Sequence, residues 1–302
     1  MKPTNCAVRS LVLSFLIFVL PAPVSWAADL SITPSGEQIV ISWPVGGTND
    51  FYVQTTTNLS LPVTWSNATN SVSSDGITFW MTNDIAVINK FYRLQSWETL
   101  FDGTSVSAFR GYRLTNFPAT NQWLVTTNGE LQAVQNASPV ALITTKQFGD
   151  YELYWEWKTV AGGDSGLLYR ANETYTKDTS AGPEYQLLDD LKKPSLPAFD
   201  QMGAAYKIAA PVNKVLLPVG EWNACKLLLQ GNHVEHWLNG GKIVEYEINS
   251  LAWTNAIQSA GGAQGVLGFG QGTSPGQGYI MLLNQNGPTW FRNIKIRQLP
   301  AN

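Results

Sequence analysis

Charge is scarce in this chain: only 14% of its 302 residues are Asp, Glu, Lys or Arg, against the ~25% of an average domain. Nineteen basic residues face 22 acidic ones, for a net charge of −3. A slightly acidic chain offers no broad cationic footprint for a phosphate backbone, so nucleic acid is not expected among its partners. Long hydrophobic runs are also missing. The one candidate, Leu11 to Leu20, falls short of the ~20 apolar residues that cross a bilayer, so no membrane span is expected. Disorder is excluded by the 44% hydrophobic content and the small net charge. Cysteine is limited to Cys6 and Cys225, and histidine to His233 and His236.

The short apolar run has a different reading. Lys2 and Arg9 precede it, and Pro21, Pro23 and the small-x-small ending Ser25-Trp26-Ala27 follow, which is the layout of a secretory signal peptide. Cleavage after Ala27 would leave 275 of the 302 residues and remove two positive charges, taking the net charge from −3 to −5. The expected address is periplasmic or secreted. Cys6 would leave with the leader, so Cys225 could form no disulfide within the chain, and its alternating context reads as a small buried hydrophobe.

What the chain has in plenty is Gly (26), Trp (12), Phe (12) and Tyr (11), with many Thr, Ser and Asn. Aromatic and β-branched residues fit a pleated sheet, and Gly and Asn serve turns. Residues 29–96 read as a small β-sandwich, with strands at 39–43, 51–55, 77–81 and 91–94 separated by turn residues such as Gly46-Gly47 and Asp75-Gly76. From 99 to 300 the strands are longer. Tyr151–Lys158 alternates for eight residues, and 224–230, 233–239 and 242–248 follow one another, the last two joined by Asn239-Gly240-Gly241, a hairpin signal. Residues 279–283 and 290–297 read as a final pair of strands. A helical period is weak, the one candidate being 187–193. Long strands without βαβ alternation predict an all-β antiparallel sandwich.

Several blocks in this second region, in order, carry a resemblance. They are Leu100-Phe101-Asp102-Gly103, Phe148-Gly149-Asp150-Tyr151-Glu152-Leu153, Asp164-Ser165-Gly166-Leu167-Leu168-Tyr169-Arg170 and Gly182-Pro183-Glu184-Tyr185-Gln186-Leu187-Leu188-Asp189-Asp190. Gly203-Ala204-Ala205-Tyr206, His236-Trp237-Leu238-Asn239-Gly240 and Trp290-Phe291-Arg292-Asn293-Ile294 complete the set. From Leu100 to Leu299 the sequence resembles the 3-keto-disaccharide hydrolase family, also described as 3-keto-glucoside 1,2-lyases. The smaller region, through Ile41–Pro44, Val53–Leu59 and Phe91–Leu94, resembles fibronectin- or immunoglobulin-like modules. The resemblance implies a concanavalin-A-like jelly-roll sandwich behind a small N-terminal β-sandwich, with an oligosaccharide or glycoside as substrate. It implies cleavage of a glycoside whose C3 hydroxyl has been oxidised: a base takes the acidified C2 proton, an enolate forms, and the C1 substituent leaves. Such a reaction asks for a base, an acid and a stabiliser of enolate charge.

Glu184 and Gln186, two apart on a strand, share a face, with Tyr185 and Leu187 on the other. Glu184, Asp189 and Arg170 are the expected catalytic residues, Arg170 through its two guanidinium donors. Gln186, Asp164 and Lys207 are expected to bind substrate, Asp164 standing where the family usually has Asn. No cofactor is demanded, although a divalent cation could dock against Asp189 and Glu184. His233 and His236, three apart on a strand, face opposite ways and cannot form one metal pair. Trp155 and Trp157 read as core. The family's usual Gln-Asp-His near the C-terminus is Leu283-Asn284-Gln285 here, where Asn284 and Gln285 could hold sugar but not exchange a proton as Asp and His would. That departure supports an alternative, a carbohydrate-binding protein without catalysis. Ordinary retaining hydrolysis would need two carboxyls ~5–5.5 Å apart.

Overall fold

A computed structural model of the chain describes residues 30–44, 51–60, 63, 65–68, 70–84, 90–193, 195–260 and 276–299. The expected leader, the Gly46-Gly47 turn and positions 261–275 of the Gly-rich stretch before residue 279 lie outside the described residues. The chain divides into two compact units between Ser96 and Trp97. Among the described residues no helix is long and apolar enough to cross a membrane.

The first unit holds β1 (Ser31–Ser35), β2 (Gln38–Pro44), β3 (Phe51–Thr56), β4 (Ser66–Asn67), β5 (Ser73–Ser74), β6 (Thr78–Asp84) and β7 (Phe91–Ser96). They form a four-stranded sheet, β1-β2-β6-β5, and a three-stranded sheet, β4-β3-β7. Ile41, Trp43, Val53 and Met81 are its buried centre, supplied by the alternating positions of β2, β3 and β6.

The second unit comprises β8 (Glu98–Phe101), β9 (Phe109–Gly111), β10 (Trp123–Val125), β11 (Leu131–Ala133), β12 (Leu142–Thr144), β13 (Tyr151–Thr159), β14 (Asp164–Ala171), β15 (Glu184–Leu188), β16 (Asn223–Gln230), β17 (His233–Leu238), β18 (Gly241–Glu247), α1 (Leu251–Ser259), β19 (Tyr279–Leu282) and β20 (Thr289–Gln298). An eight-stranded sheet has the order β10-β11-β20-β13-β16-β17-β18, with β8 also on β20. A five-stranded sheet has the order β15-β14-β19-β12-β9. Their facing residues share one buried cluster, including Trp155 and Trp157 from the large sheet and Leu167, Tyr185 and Leu282 from the small one. This is an antiparallel jelly-roll sandwich.

The sequence explains the layers. In β16 every second residue is buried and the others half-exposed, so one face meets the core and one meets solvent. The β17–β18 hairpin turns through Asn239 (φ 47°) and Gly240 (φ 86°), the left-handed pair that its tight turn requires. Two expectations need correction. Residues 187–193 are not helical: they finish β15 and make a single 3-10 turn, Asp190–Lys192. The strands at 279–282 and 289–298 do not pair, because β19 joins the small sheet and β20 the large one. The helix α1 was not expected; Ser250 caps it by accepting from the Trp253 amide, and Trp253 and Ile257, four apart, are its buried stripe.

The solvent face of the large sheet is laced with cations over rings. Lys158 and Arg292 lie 4.4 and 4.2 Å from the Trp222 centroid, Lys226 is 4.1 Å from that of Trp237, and Lys295 is 5.3 Å from that of Tyr154. Glu130 and Glu156 tie Lys158 and Arg292 in turn, at 2.7 and 2.6 Å.

Candidate active site

The small sheet has a second face, turned from the main core. Register fixes what stands on it, because residues opposite one another in an antiparallel pair share a face. One transverse row runs Arg110–Ile143–Met281–Leu168–Glu184 across five strands. Its middle is apolar: Ile143, Leu168, Met281 and Leu283 form a buried cluster with Tyr112, Ala141, Ala171 and Ala181. Its ends are charged. At one end Arg110 makes a two-pronged ion pair with Glu173. At the other, four strands or about 19 Å away at ~4.8 Å per strand, stands Glu184.

Glu184 is buried, and its Oε1 has no hydrogen-bond partner. A buried carboxyl oxygen without a partner carries a desolvation cost that no hydrogen bond offsets. Burial comes first, then the fields of Asp164 and Asp178, and together they push its proton affinity well above the ordinary carboxylate range. Gly166, opposite Gln186, leaves room for it: a Cβ there would lie 2.1 Å from Glu184 Oε1 and 2.8 Å from its carboxyl carbon.

Around Glu184 the structure gathers the other polar groups. Gln186 donates through Nε2 to Asp164 Oδ1 at 2.9 Å, and Lys193 donates to Asp164 Oδ2 at 2.7 Å. Asp164 is fixed at the backbone too, since it exchanges both backbone hydrogen bonds with Asn286. Gln186 and Asp164 are thus joined by a hydrogen bond beside Glu184, and Glu184 and Gln186 share a face as their spacing implies. Lys207 stands near this group but pairs with Asp200 at 2.6 Å, so its charge is already neutralised.

Three expected site residues are placed elsewhere. Arg170 does not reach Glu184. Its register slips at a bulge between Leu168 and Ala171, its backbone is left-handed (φ 48°), and its guanidinium turns inward to donate to the Gly231 carbonyl, 3.9 Å from Asp150. It is an internal brace, with the ring of Tyr151 close by. Asp189 is a loop staple: Oδ1 accepts from the Leu191 amide at 3.1 Å and Oδ2 from the Gly162 amide at 2.8 Å. It lies five positions from Glu184, about 16 Å along an extended chain. That separation removes the retaining-carboxylate pair, and with it the expected shared cation site of Asp189 and Glu184. Asn284 spends its amide nitrogen on the Gln122 and Val134 carbonyls at 3.1 and 3.0 Å, holding two loops rather than a sugar. Gln285 is half-buried, one residue from the Asn286 partner of Asp164.

The histidines behave as their spacing predicts. His236 lies in the core, stacked on Tyr185 with ring centroids 4.3 Å apart. Its Nδ1–H donates to the Gly203 carbonyl, so its Nε2 accepts from the Tyr169 hydroxyl. Burial pulls it down to about 4, and it is neutral. His233 is on the surface with Glu235, Glu245 and Glu247. The three side chains His233, Glu235 and Glu245 are the one metal-sized group among the described residues, but Lys242 already occupies both carboxylates at 3.0 and 2.5 Å.

Two groups went unread in the sequence. Asp178, in the 3-10 turn Asp178–Ser180, is half-buried and also held above the usual carboxylate range, chiefly by burial. Tyr206 lies beside Glu184. The segment Gly203–Tyr206 runs antiparallel along β15, with the Tyr206 amide donating to the Glu184 carbonyl at 2.9 Å and the Gln186 amide to the Ala204 carbonyl at 3.0 Å. A signal existed in the Gly203-Ala204-Ala205-Tyr206 block, but a four-residue edge segment has too little alternation to read as a strand.

A β-sandwich with one solvent-starved acid, an amide and paired carboxylates at the edge of its smaller sheet has the build of a carbohydrate-active protein, and comparison with known proteins makes the class specific. The chain belongs to the family of the 3-keto-alpha-glucoside-1,2-lyase-like domain, whose model matches residues 96–297. It is 28% identical over 230 residues to the 3-keto-disaccharide hydrolase of Bacteroides thetaiotaomicron, covering 67% of this chain and 78% of that one. Two solved structures from Parabacteroides distasonis, each described provisionally as a glycosyl hydrolase, are both 26% identical. One has a TM-score of 0.58 and covers 67% of this chain and 94% of its own; the other has 0.51 and covers 68% and 100%. The second unit is therefore a glycoside hydrolase-like, carbohydrate-active domain.

Proposed function

We propose that this protein cleaves 3-keto-glycosides, with Glu184 as the acid–base group. The observation that carries the reading is the buried, unpartnered Glu184 carboxyl on the one face of the small sheet where polar groups converge. A carboxyl held high is a reservoir for a proton when neutral and a stronger base once ionised. The C2–H bond of the substrate breaks toward Glu184, its electron pair forms C2=C3, and the C3 carbonyl oxygen takes the negative charge. The enolate then re-forms C3=O as C1=C2 forms and the C1–O bond breaks, the departing oxygen taking a proton. Addition of water across C1=C2 completes a net hydrolysis. Asp164 and Gln186, locked to each other, suit the remaining sugar hydroxyls. The leader-like start of the chain supports export, and the reaction in the periplasm or outside the cell.

The testing experiment is an assay of the purified protein on a 3-keto-glucoside with a chromogenic aglycone, beside its parent glucoside. Release from the keto compound alone, lost by about 10²-fold or more in Glu184→Gln, is expected. Saturable binding of the keto compound with no release would instead favour the non-catalytic reading, which the Leu283-Asn284-Gln285 replacement motivates; neither binding nor release would remove both.

A further inference from the structure

We infer that Tyr206 is a further catalytic residue, whose phenol donates a hydrogen bond to the C3 oxygen of the substrate as that oxygen becomes an enolate. The inference rests on the reading of Glu184 above and supplies what it lacks, since Arg170 points into the core and Lys207 is paired.

Register carries the argument. Tyr185 and Ala205 form an isolated antiparallel bridge, which places Glu184 directly opposite Tyr206. Tyr185 and Ala205 are both wholly buried in the main core, and the pairing sets Glu184 and Tyr206 opposite one another beside them, the half-buried Tyr206 ring packing on the rim of that core. Directly opposed side chains start from Cβ atoms ~4.5–5.5 Å apart, so phenol and carboxyl are reached by one substrate atom pair such as C2–H and the adjoining C3=O.

The hydroxyl is open to that use: Tyr206 is half-buried, and among the described residues no side-chain hydrogen bond engages its oxygen. Around it Asp200, Glu184 and Asp164 all bear on the ring, and with burial they disfavour a phenolate. A tyrosine so surrounded keeps its proton and acts as a donor, which is what a developing enolate needs. The backbone is tightly specified. Lys207, the next residue, sits in the left-handed region (φ 62°), where a side chain other than glycine is held at a cost. Its amide donates to the Phe199 carbonyl and its ammonium to Asp200, so both ends of the residue pin the turn. Gly203, where the segment begins, has its carbonyl held by His236 at 3.0 Å. These contacts fix the short edge segment that carries Tyr206.

The test is Tyr206→Phe, which deletes one hydroxyl that no described residue hydrogen-bonds and should leave the melting temperature unchanged. On the chromogenic 3-keto-glucoside, kcat should fall about 10²-fold with KM held within about threefold, as for loss of one oxyanion donor. Deuterium uptake at C2 from heavy water should slow by the same factor. The loss should be equal for aryl and alkyl aglycones, because enolate stabilisation precedes departure of the leaving group; loss confined to alkyl aglycones would assign the phenol to the leaving oxygen and overturn the inference. Wild-type turnover with Tyr206→Phe within about threefold of it would remove Tyr206 alone. A wild-type protein that spares the 3-keto substrate would remove the reaction itself, and this role with it.

Discussion

Glu184 is a carboxyl that the fold makes costly to ionise, and its neighbours set how costly. Burial dominates, but Asp164 is the first of the two charges that add to it. Asp164→Asn keeps the shape and removes that charge, retaining one of the two acceptors that Gln186 and Lys193 use and losing the other. Glu184 should then release its proton more readily, so whichever limb of the kcat/KM–pH profile it governs moves to lower pH; a profile unmoved by Asp164→Asn would separate the two groups. The same residues show what could be read from sequence. Glu184 and Gln186 on one face followed from a period of two, and so, in principle, did the exclusion of Asp189, an odd number of positions away. Arg170 obeys the same parity on paper, since 164, 166, 168 and 170 should share the face of Glu184. The bulge after Leu168 inverts it, and no single residue there announces a bulge.

That bulge is an event of two strands, β14 and β19, and of the chain just before β19. Gly278 lies against the Arg170 backbone: a Cβ there would sit 2.4, 2.5 and 2.8 Å from the carbonyl carbon, Cα and oxygen of Arg170. Backbone cannot yield as a flexible side chain can. Gly278→Ala should therefore cost about 3 kcal/mol, or roughly 6–12 °C in melting temperature for a unit of this size, read by thermal unfolding. A shift under ~2 °C would mean that the two segments part easily. Strands such as β13 and β16 were legible because eight alternating residues outweigh local noise. The short edge segment carrying Tyr206 and the nine-residue helix α1 were not, because each is held by tertiary contacts more than by its own pattern.

At the scale of the whole sandwich, the two sheets are joined by a polar thread through an apolar core: Gly203, His236, Tyr169 and Tyr246, linked at 3.0, 3.0 and 2.7 Å. The thread works with a neutral imidazole, since Nε2 must accept from Tyr169. His236 is held down at about 4, against an ordinary 6.5, so the folded state resists its protonation while the unfolded chain does not. Stability is complete above about pH 6.5 and should be lost as pH falls toward 4, by up to roughly 3 kcal/mol from this group. Urea unfolding at pH 7 and pH 5 should show it, and His236→Gln should flatten that difference while lowering stability at both; an unchanged slope would assign the acid sensitivity elsewhere. Because the thread ends on the carbonyl of Gly203, the segment bearing Tyr206 is expected to loosen over the same range.

The cations stacked on the outer rings of the large sheet bear on how the molecule lives in solution. Trp222 lies under both Lys158 and Arg292, and Trp237 under Lys226. An aromatic face covered by a guanidinium or ammonium offers less bare surface for a sugar ring to stack on, which accords with the proposed site on the smaller sheet. With a net charge of only −3, the protein has little mutual repulsion to keep copies apart. The covered rings present charge rather than bare aromatic surface to a neighbouring copy, and the ion pairs that hold Lys158 and Arg292 in place are ones that dissolved salt weakens.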